Sequence, residues 1–424
     1  MAKGGYVWGR GALPLVEDHS RAKHDVLRAY LVNYLRILAQ SPHSRGIEVA
    51  LVDGFAGGGE YRTPNGVVVS GSPLVLLEAI REARALVPED RKRRGFQGAY
   101  EIRVHVHLVE TRRDAHEHLK KLIAERTDPK DATTIVHVHH GRFEQLLPTI
   151  IGDIHRRQRR TGRSVFILDQ YGWSQVPLEL VQRIFSELPR AEVFLTWMID
   201  ALINFLSEKM LDKLTPGLEK SGLSPYVTTE QLVAVKEDPA NATVWRRVIQ
   251  TLLTNEIRTI AGAAYSTPFY IVPATSHRGY WLLHLAQHLR ANEEMKRIHW
   301  SNNNLQHPGG PGLNMLGYVG TGGQLAFDNR FDDSANLLTL QTLADDIPRR
   351  LRDANGPMRF GALVEGTANE TPAKRAQMAA AVFGLSQRKQ LRITTVAGST
   401  RRGAEGLDDA DVVEIPAQTW FFLS

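Results

Sequence analysis

The chain of 424 residues is long enough for two domains, and its 42% of hydrophobic and 23% of charged residues are typical of a folded globular protein. It contains no cysteine, which excludes disulfides, a cysteine nucleophile and metal centres built on thiolates. Lysine and arginine number 52 against 46 aspartate and glutamate residues, a formal net charge of +6 that is compatible with an anionic partner without requiring one.

Hydrophobic spacing predicts strands that alternate with helices through the first 200 residues. A helix is predicted over 20–40, and the first strand runs over 47–53 into a cluster of glycines. Four further strands are predicted over 102–110, 133–140, 165–169 and 193–197, with helices over 72–86, 111–126, 143–160 and 178–188 and a charged loop over 88–98. Because such alternation implies right-handed crossovers, we predict a doubly wound parallel sheet covered by helices on both faces.

The rest of the chain predicts an insertion and a second domain. Residues 200–262 are predicted to be a helical insertion, and strands over 268–273 and 280–285, joined by a turn at 277–279, predict an antiparallel hairpin at the sheet edge. Later helices over 342–353, 358–367 and 372–390 precede a hairpin of strands 391–397 and 412–415 with a basic tip at Arg401 and Arg402. We therefore predict a Rossmann-like domain over 1–300, a linker over 301–336 and a winged-helix-like domain over 337–424.

The strongest motif is Asp53-Gly54-Phe55-Ala56-Gly57-Gly58-Gly59, which follows the first predicted strand. Glycines let a backbone approach a ligand closely, and open α/β sheets bind ligands at the carboxyl ends of their strands. The pattern is not the Gly-x-Gly-x-x-Gly of dinucleotide enzymes, because the next acidic residue at a strand end, Glu110, lies 57 positions after Asp53 instead of about 20. A tight turn without a ligand is the alternative for this motif.

This motif resembles motif I of class I S-adenosylmethionine-dependent methyltransferases, especially those that methylate amino groups of nucleic acids. The resemblance implies that S-adenosylmethionine is bound by Asp53, Phe55, Gly57, Gly59, Glu110 and Phe143. Glu110 would accept hydrogen bonds from the ribose hydroxyls, and Phe143 would lie beside the adenine. Without a cofactor, Glu110 would be a carboxylate at a helix N-terminus and Phe143 the first core residue of the next helix.

The segment Asp169-Gln170-Tyr171-Gly172-Trp173 resembles the Asp-Pro-Pro-Tyr segment of amino-methyltransferases. The resemblance implies a catalytic group of Asp169, Gln170 and Tyr171, in which Asp169 accepts hydrogen bonds from the target amine. Tyr171 or Trp173 would stack on the target base, which must leave the double helix. Gln170 stands where the family has its first proline, so the alternative is that Asp169 caps the next helix and Tyr171 packs in the cleft.

A wider resemblance covers roughly residues 20–300. The order of Lys23-His24, Asp53–Gly59, Gly71–Leu74, Asp169–Trp173 and Tyr280–Leu285 is similar to that of the three-Cys-motif partner proteins. This family implies a methyltransferase-like fold and a protein partner of the three-Cys-motif type, which resembles a radical S-adenosylmethionine enzyme. We assign Lys23 and His24 to substrate binding together with Tyr171 and Trp173.

No metal site is predicted. Among the 16 histidines, His105 and His107 share one strand face, as do His137 and His139. A metal site needs three or four converging ligands, and strand histidines more often pack or line a cleft. The arginines within 91–94 and 156–163 are expected to be solvated, or to contact phosphates if they flank the cleft.

We therefore expect an S-adenosylmethionine-dependent methyltransferase that acts on an amino group in nucleic acid. Two alternatives stay open: a non-catalytic, cofactor-binding partner of a three-Cys-motif enzyme, and a nucleic-acid-binding module that acts through the C-terminal domain. No apolar run is long enough to cross a membrane, and the first residues lack the apolar core of a signal peptide. These features predict a cytoplasmic protein without a membrane partner.

Overall fold

The computed structural model divides the chain into two compact units, residues 1–294 and 295–424. The described residues are 8, 13–15, 18–158, 162–170, 172–198, 202–203, 206–207, 209, 211–242, 245–271, 280–301, 333–399, 403 and 406–416. The predicted turn at 277–279, residues 302–332 of the predicted linker, and Arg401 and Arg402 lie outside them.

A mostly parallel seven-stranded sheet forms the centre of the first unit. The strands of this unit are β1 (Gly46–Asp53), β2 (Glu60–Arg62), β3 (Val68–Ser70), β4 (Glu101–Glu110), β5 (Thr134–His140), β6 (Ser164–Leu168), β7 (Ala191–Trp197), β8 (Tyr265–Ile271) and β9 (Tyr280–Ala286). The order in the sheet is β5-β4-β1-β6-β7-β9-β8, while β2 and β3 pair separately. Strand β9 runs antiparallel to both of its neighbours, which confirms the antiparallel hairpin at the sheet edge.

The strand order reverses beside β1, which lies between β4 and β6. Asp53, the last residue of β1, pairs with Leu108 of β4 and with Ile167 of β6. The carboxyl ends of the three strands therefore lie at one edge of the sheet. A reversal of this kind is the place where open α/β sheets bind ligands.

Helices cover both faces of the sheet. They are α1 (Asp18–Leu38), α2 (Ser72–Arg93), α3 (Arg113–Arg126), α4 (Phe143–Arg157), α5 (Leu178–Glu187), α6 (Leu211–Ser221), α7 (Thr229–Glu237), α8 (Trp245–Ile260) and α9 (Leu289–Ser301). On one face, α4, α5 and the inserted helices α6–α8 share one core with the sheet through residues such as Leu147, Leu218 and Leu253. On the other face, Tyr30 of α1 packs against Phe194 of β7.

The predicted charged loop over 88–98 is wrong in its first half. Helix α2 continues through Pro88 to Arg93, although a proline removes one helix hydrogen bond. The side chain of Arg91 is buried and donates to the carbonyls of Ala39 at 2.7 Å and Ser41 at 3.0 Å. Its guanidinium also lies 4.4 Å from the centre of the Tyr100 ring. Arg91 is therefore an internal anchor of α2 and not the solvated residue that we expected.

The second unit contains a winged helix-turn-helix. Its elements after α9 are α10 (Asp333–Asp353), β10 (Met358–Arg359), α11 (Phe360–Thr367), α12 (Arg375–Gln387), β11 (Arg392–Thr394) and β12 (Val412–Glu414). The three strands form an antiparallel sheet in the order β10-β12-β11. Helix α10 begins at 333 instead of the predicted 342. Residues 358–359, predicted as the start of a helix, form strand β10 instead. The local sequence could not show this pairing, because the partners in β12 lie more than 50 residues later.

In the described part of the chain, no helix combines the length and the apolar character that a membrane crossing requires.

Candidate functional site

Two cavities lie at the carboxyl edge of the sheet, one toward α4 and one toward α1. The larger one, which we name the Glu110 cavity, has a volume of about 430 Å³. It is lined by Gly54, Phe55, Val109, Glu110, Thr111, Arg142, Phe143, Glu144, Gln175, Leu180 and Lys220. This volume falls within the range of small-molecule sites, roughly 300–1,000 Å³. The smaller one, the Lys23 cavity, is described further below.

Glu110 stands at the mouth of the Glu110 cavity as the last residue of β4. Its Oε1 accepts a hydrogen bond from the backbone N–H of Arg112 at 2.6 Å, and the hydroxyl of Thr111 lies 3.4 Å from the same oxygen. Both contacts use Oε1, and the second carboxylate oxygen takes no part in them. The side chain thus supports the turn into α3, while the half-buried carboxylate still lines the cavity.

Phe143 and Phe55 form the apolar wall of the Glu110 cavity. Phe143 begins α4, is 4% exposed, and its ring centre lies 6.3 Å from that of Phe55 and 6.5 Å from that of Phe166. A Cβ at Gly54 would lie 3.0 Å from the Phe143 ring and 2.9 Å from Leu168. Gly54 is therefore the residue that lets the Phe143 ring pack against the end of β1, and Phe143 is both a core residue and a cavity wall.

The glycine turn is covered by a residue from the N-terminal segment. Gly57 and Gly59 have φ of +61° and +86°, which glycine adopts without strain. A Cβ at Gly58 would lie only 2.2 Å from Nε1 of Trp8, whose buried ring donates to the carbonyl of Glu60 at 3.0 Å. The indole of Trp8 therefore fills the space next to Gly58 that the absence of a Cβ leaves open. The lining of the Glu110 cavity comes from the start of the motif, at Gly54, and not from Gly57 or Gly59.

Asp53 is a fully buried carboxyl at the end of β1. Its Oδ1 accepts a hydrogen bond from the backbone N–H of Phe55 at 3.1 Å. Burial raises the pKa of Asp53 to about 7, against the lowering effect of hydrogen bonds from Ser72 and Phe55, and the charges of Asp169 and Glu110 raise it further. Near neutral pH this carboxyl is therefore close to half protonated, and a cation bound beside it would favour its ionised form.

The Lys23 cavity is small and its polar groups bind one another. It has a volume of about 20 Å³, the space of about one water molecule. Lys23 of α1 donates to both carboxylate oxygens of Asp169, at 2.7 and 2.6 Å. Burial would raise the pKa of Asp169, but the charge and hydrogen bonds of Lys23 outweigh it and hold the pKa below its usual range.

His24 lines the Lys23 cavity beside this ion pair. Burial and the charge of Lys23 lower the pKa of His24 to about 4, and the opposite charge of Asp169 only partly offsets them. The imidazole is therefore neutral at pH 7. Lys23 and His24 thus meet Asp169, which lies 146 positions after Lys23, and the positive charge of Lys23 is matched by the negative charge of Asp169.

Gln170 makes its hydrogen bonds inside the protein. It is 2% exposed, and its Nε2 donates to the carbonyl of Thr196 at 3.1 Å. Its Oε1 accepts from the backbone N–H groups of Gln175 and Val176, both at 2.8 Å. Gln170 therefore connects the loop after β6 to β7 through hydrogen bonds. Its side-chain amide holds this turn in place, at the position where the amino-methyltransferase segment has a conformationally restricted proline.

Trp173 packs under the inserted helices. Its ring centre lies 6.0 Å from that of Trp197, and a Cβ at Gly217 of α6 would lie 2.4 Å from the Trp173 ring. The ring is therefore part of the core that holds the insertion against the sheet. Tyr171, the other predicted stacking residue, lies outside the described residues.

Several residues of these cavities were not predicted from the sequence. Arg142, Gln175 and Lys220 line the Glu110 cavity, and Trp8 covers the glycine turn. Arg142 directly precedes Phe143 and could have been found as a strand-end residue. Lys220 comes from the insertion, and no local pattern in the sequence connects it with the end of β4.

Comparison with known proteins identifies the second unit alone. Residues 322–398 match the family described as GMT-like wHTH domain. The match covers α10–α12 and the strands β10 and β11, in agreement with the winged helix-turn-helix of the structure. No curated protein matches the chain.

Proposed function

We propose that the first unit binds S-adenosylmethionine in the Glu110 cavity and that the chain is a methyltransferase acting on an amino group in nucleic acid. The observation that carries this proposal is the position of the cavity. It lies where the strand order reverses, with an acidic strand end, Glu110, and an aromatic wall, Phe143, on its lining. A nucleoside requires this combination of hydrogen-bond acceptor and apolar surface.

The described residues fit the nucleoside part of the cofactor. The carboxylate of Glu110 would hold the ribose hydroxyls, and Phe55 and Phe143 would pack against the adenine. Because Trp8 covers Gly58, the backbone contacts would come from Gly54. S-adenosylmethionine supplies an electrophilic methyl group on a positively charged sulfur when it is bound.

The order of the strands, with antiparallel β9 before the edge strand, supports the same proposal. Its parallel strands and antiparallel edge hairpin agree with the doubly wound sheet that we predicted. The carboxyl of Asp53, with its pKa of about 7, would respond to a cationic ligand by losing its proton. The first unit thus combines a cavity, a strand-end acceptor and a titratable carboxyl at one sheet edge.

The second unit would hold the nucleic acid. In a helix-turn-helix the second helix enters the major groove, which here would be α12. Two cations near its N-terminus have partners within the protein, since Lys374 lies over the Trp300 ring and Arg375 pairs with Asp409. Arg388 and Lys389, which follow α12, are exposed. They are the residues that we expect to contact phosphates, with an affinity that falls as salt rises.

A second candidate function is a cofactor-binding partner protein that transfers no methyl group. The observation that favours it is the ion pair of Lys23 and Asp169. Asp169 is the residue expected to accept the target amine, and both of its oxygens already accept hydrogen bonds from Lys23. An amine would have to share these oxygens with Lys23 or displace its ammonium.

Calorimetric titration together with a methyl-transfer assay distinguishes the methyltransferase from the cofactor-binding partner protein. We would titrate S-adenosylmethionine and S-adenosylhomocysteine into the full chain, then follow labelled methyl transfer to DNA and RNA. Binding together with transfer supports the methyltransferase, and binding without transfer by a chain that retains nucleic-acid affinity supports the partner protein. A folded chain that binds neither compound would refute both, and the winged helix-turn-helix would then be the functional part.

A further inference from the structure

Histidines of two neighbouring strands form a cluster at the edge of the sheet that the proposed function does not use. His107 of β4 pairs in register with His137 of edge strand β5, and His139 lies two residues further along β5 on the same face. The ring of His107 stacks on that of His137, with centres 4.9 Å apart, and on that of His139 at 5.4 Å. Asp153 of α4 faces this cluster, with Oδ2 3.4 Å from Nε2 of His107.

The side chains of His107, His137 and Asp153 converge closely enough to share an ion. One ligand atom from each lies within 4.8 Å of the other two. A tetrahedral Zn²⁺ ion with ligand bonds of about 2.0–2.1 Å places its ligand atoms about 3.3 Å apart. The spacing of His107 and Asp153 already agrees with this value, and a small rotation of the His137 ring would bring in the third ligand.

Two ring nitrogens of this cluster lack a hydrogen-bond partner in the described structure. Nε2 of His107 and Nε2 of His137 are both buried, and neither makes a hydrogen bond to a described residue. His107 itself is 2% exposed, so water does not readily replace the missing partner.

The surroundings orient the ligands as they do in known metal sites. Nδ1 of His107 lies 3.1 Å from Nε2 of His139 and can donate to it, which would leave the Nε2 of His107 that faces Asp153 free to bind an ion. Arg156 and Arg157 donate to the two oxygens of Asp153 at 3.0 and 2.9 Å, which holds the carboxylate in place and ionised. Each carboxylate oxygen keeps a further lone pair for an ion.

We propose that His107, His137 and Asp153 bind a divalent transition-metal ion such as Zn²⁺, with His139 as the residue that orients His107. The ligand set of two imidazoles and one carboxylate suits borderline ions and not Ca²⁺ or Mg²⁺, which prefer oxygen. The ion joins β4, β5 and α4. It therefore fixes α4, whose first residues line the Glu110 cavity, onto the edge of the sheet.

Titration of the metal-stripped full chain with Co²⁺ and Zn²⁺ tests this site. We expect one Co²⁺ per chain, with the visible absorption of a tetrahedral nitrogen and oxygen site, and displacement of Co²⁺ by Zn²⁺. Zinc at about 100-fold above its Kd should raise the melting temperature by about 5 °C. A folded wild-type chain that shows no Co²⁺ spectrum and no zinc-dependent melting shift would overturn the proposal, whatever the variants do.

Two variants and a matched control assign the ligands. His137→Gln and Asp153→Asn should each lower the affinity for Co²⁺ at least 10-fold. His105→Gln changes a buried histidine of the same strand that contacts Glu48 at 2.9 Å and is not one of the three proposed ligands, and it should bind like the wild type. Full affinity in His137→Gln and Asp153→Asn would refute these ligands. Binding of S-adenosylmethionine is measured separately, so failure of the metal site is distinguishable from failure of the proposed function.

Discussion

The two cavities beside β1 differ in how their polar groups are satisfied. In the Lys23 cavity, about 20 Å³ remains and the charged groups of Lys23 and Asp169 bind each other. In the Glu110 cavity, about 430 Å³ remains, and the carboxylate of Glu110 lines open space. One strand reversal thus produces a compartment closed by its own side chains and a compartment that can take a ligand.

This difference shows that a strand-end acid is not by itself a binding residue. Asp169 and Glu110 occupy equivalent places, one directly after β6 and the other at the end of β4. The ammonium of Lys23, from α1, binds the carboxylate of Asp169, whereas the carboxylate of Glu110 accepts hydrogen bonds from the turn that follows it. A ligand at Asp169 must share its oxygens with Lys23 or displace the ammonium, and a ligand at Glu110 need not.

Asp53→Asn should produce the largest effect, because Asp53 is a fully buried carboxyl at the end of β1. The folded state raises its pKa from 3.8 to about 7, so the folded protein holds a proton that the unfolded chain releases. The free energy of unfolding of the wild type should therefore fall as pH rises from about 4 through 7, by about 4 kcal/mol in total. The neutral variant should lack this decline and be the more stable protein at pH 8.

Urea unfolding at several pH values measures this effect. Asp128→Asn, at an exposed carboxylate of the same unit, should keep the wild-type pH dependence. If Asp53→Asn and the wild type show parallel pH profiles, the pKa of Asp53 is the same in the folded and unfolded states and its burial retains no proton.

Lys23→Met should break the closed compartment. It leaves the carboxylate of Asp169 without its cation, and the pKa of Asp169 should rise. The free energy of unfolding should fall by about 3 kcal/mol. This is the low end of the range for a broken buried ion pair, because 33% of the Asp169 side chain is exposed. Combining it with Asp169→Asn should restore most of the loss, while Lys120→Met, at an exposed lysine of α3, should change little. Equal free energies of unfolding for Lys23→Met and the wild type would show that the ion pair of Lys23 and Asp169 does not stabilise the fold.

Gln170→Ala should loosen the loop that follows β6. It leaves the backbone N–H groups of Gln175 and Val176 and the carbonyl of Thr196 without their side-chain partner. We expect the free energy of unfolding to fall by about 2 kcal/mol. Amide exchange at 175 and 176 should become faster, and exposed Gln145→Ala serves as the control. Unchanged exchange at both positions would show that the loop is held by other contacts.

The regular elements could be predicted from the sequence because their signals are local. Buried strands such as β1 are continuous apolar runs, and the winged helix-turn-helix follows from three helices and a hairpin. The end of α2 could not be predicted in this way, because Arg91 is held by the carbonyls of Ala39 and Ser41, about 50 residues earlier in the chain.

The contacts that decide the candidate site are long-range in the same way. Lys23 and Asp169 are 146 positions apart, and Trp8 meets a carbonyl 52 positions away. A motif shows which backbone can receive a ligand, but it does not show whether another side chain already occupies that place. Gly58 and Asp169 are two such positions here.

Glu110→Gln gives the smallest expected change and the sharpest test of the open compartment. Glutamine keeps an acceptor for the N–H of Arg112, so the free energy of unfolding should stay within about 0.5 kcal/mol of the wild type. The affinity for S-adenosylhomocysteine should nevertheless fall about 10-fold, because hydrogen bonds to a charged acceptor are worth more than those to a neutral one. Glu125→Gln, at an exposed position of α3, should alter neither quantity. Loss of stability without loss of affinity would mean that Glu110 only supports its turn. The two strand-end acids would then both be structural, and the contrast between the cavities would be one of volume alone.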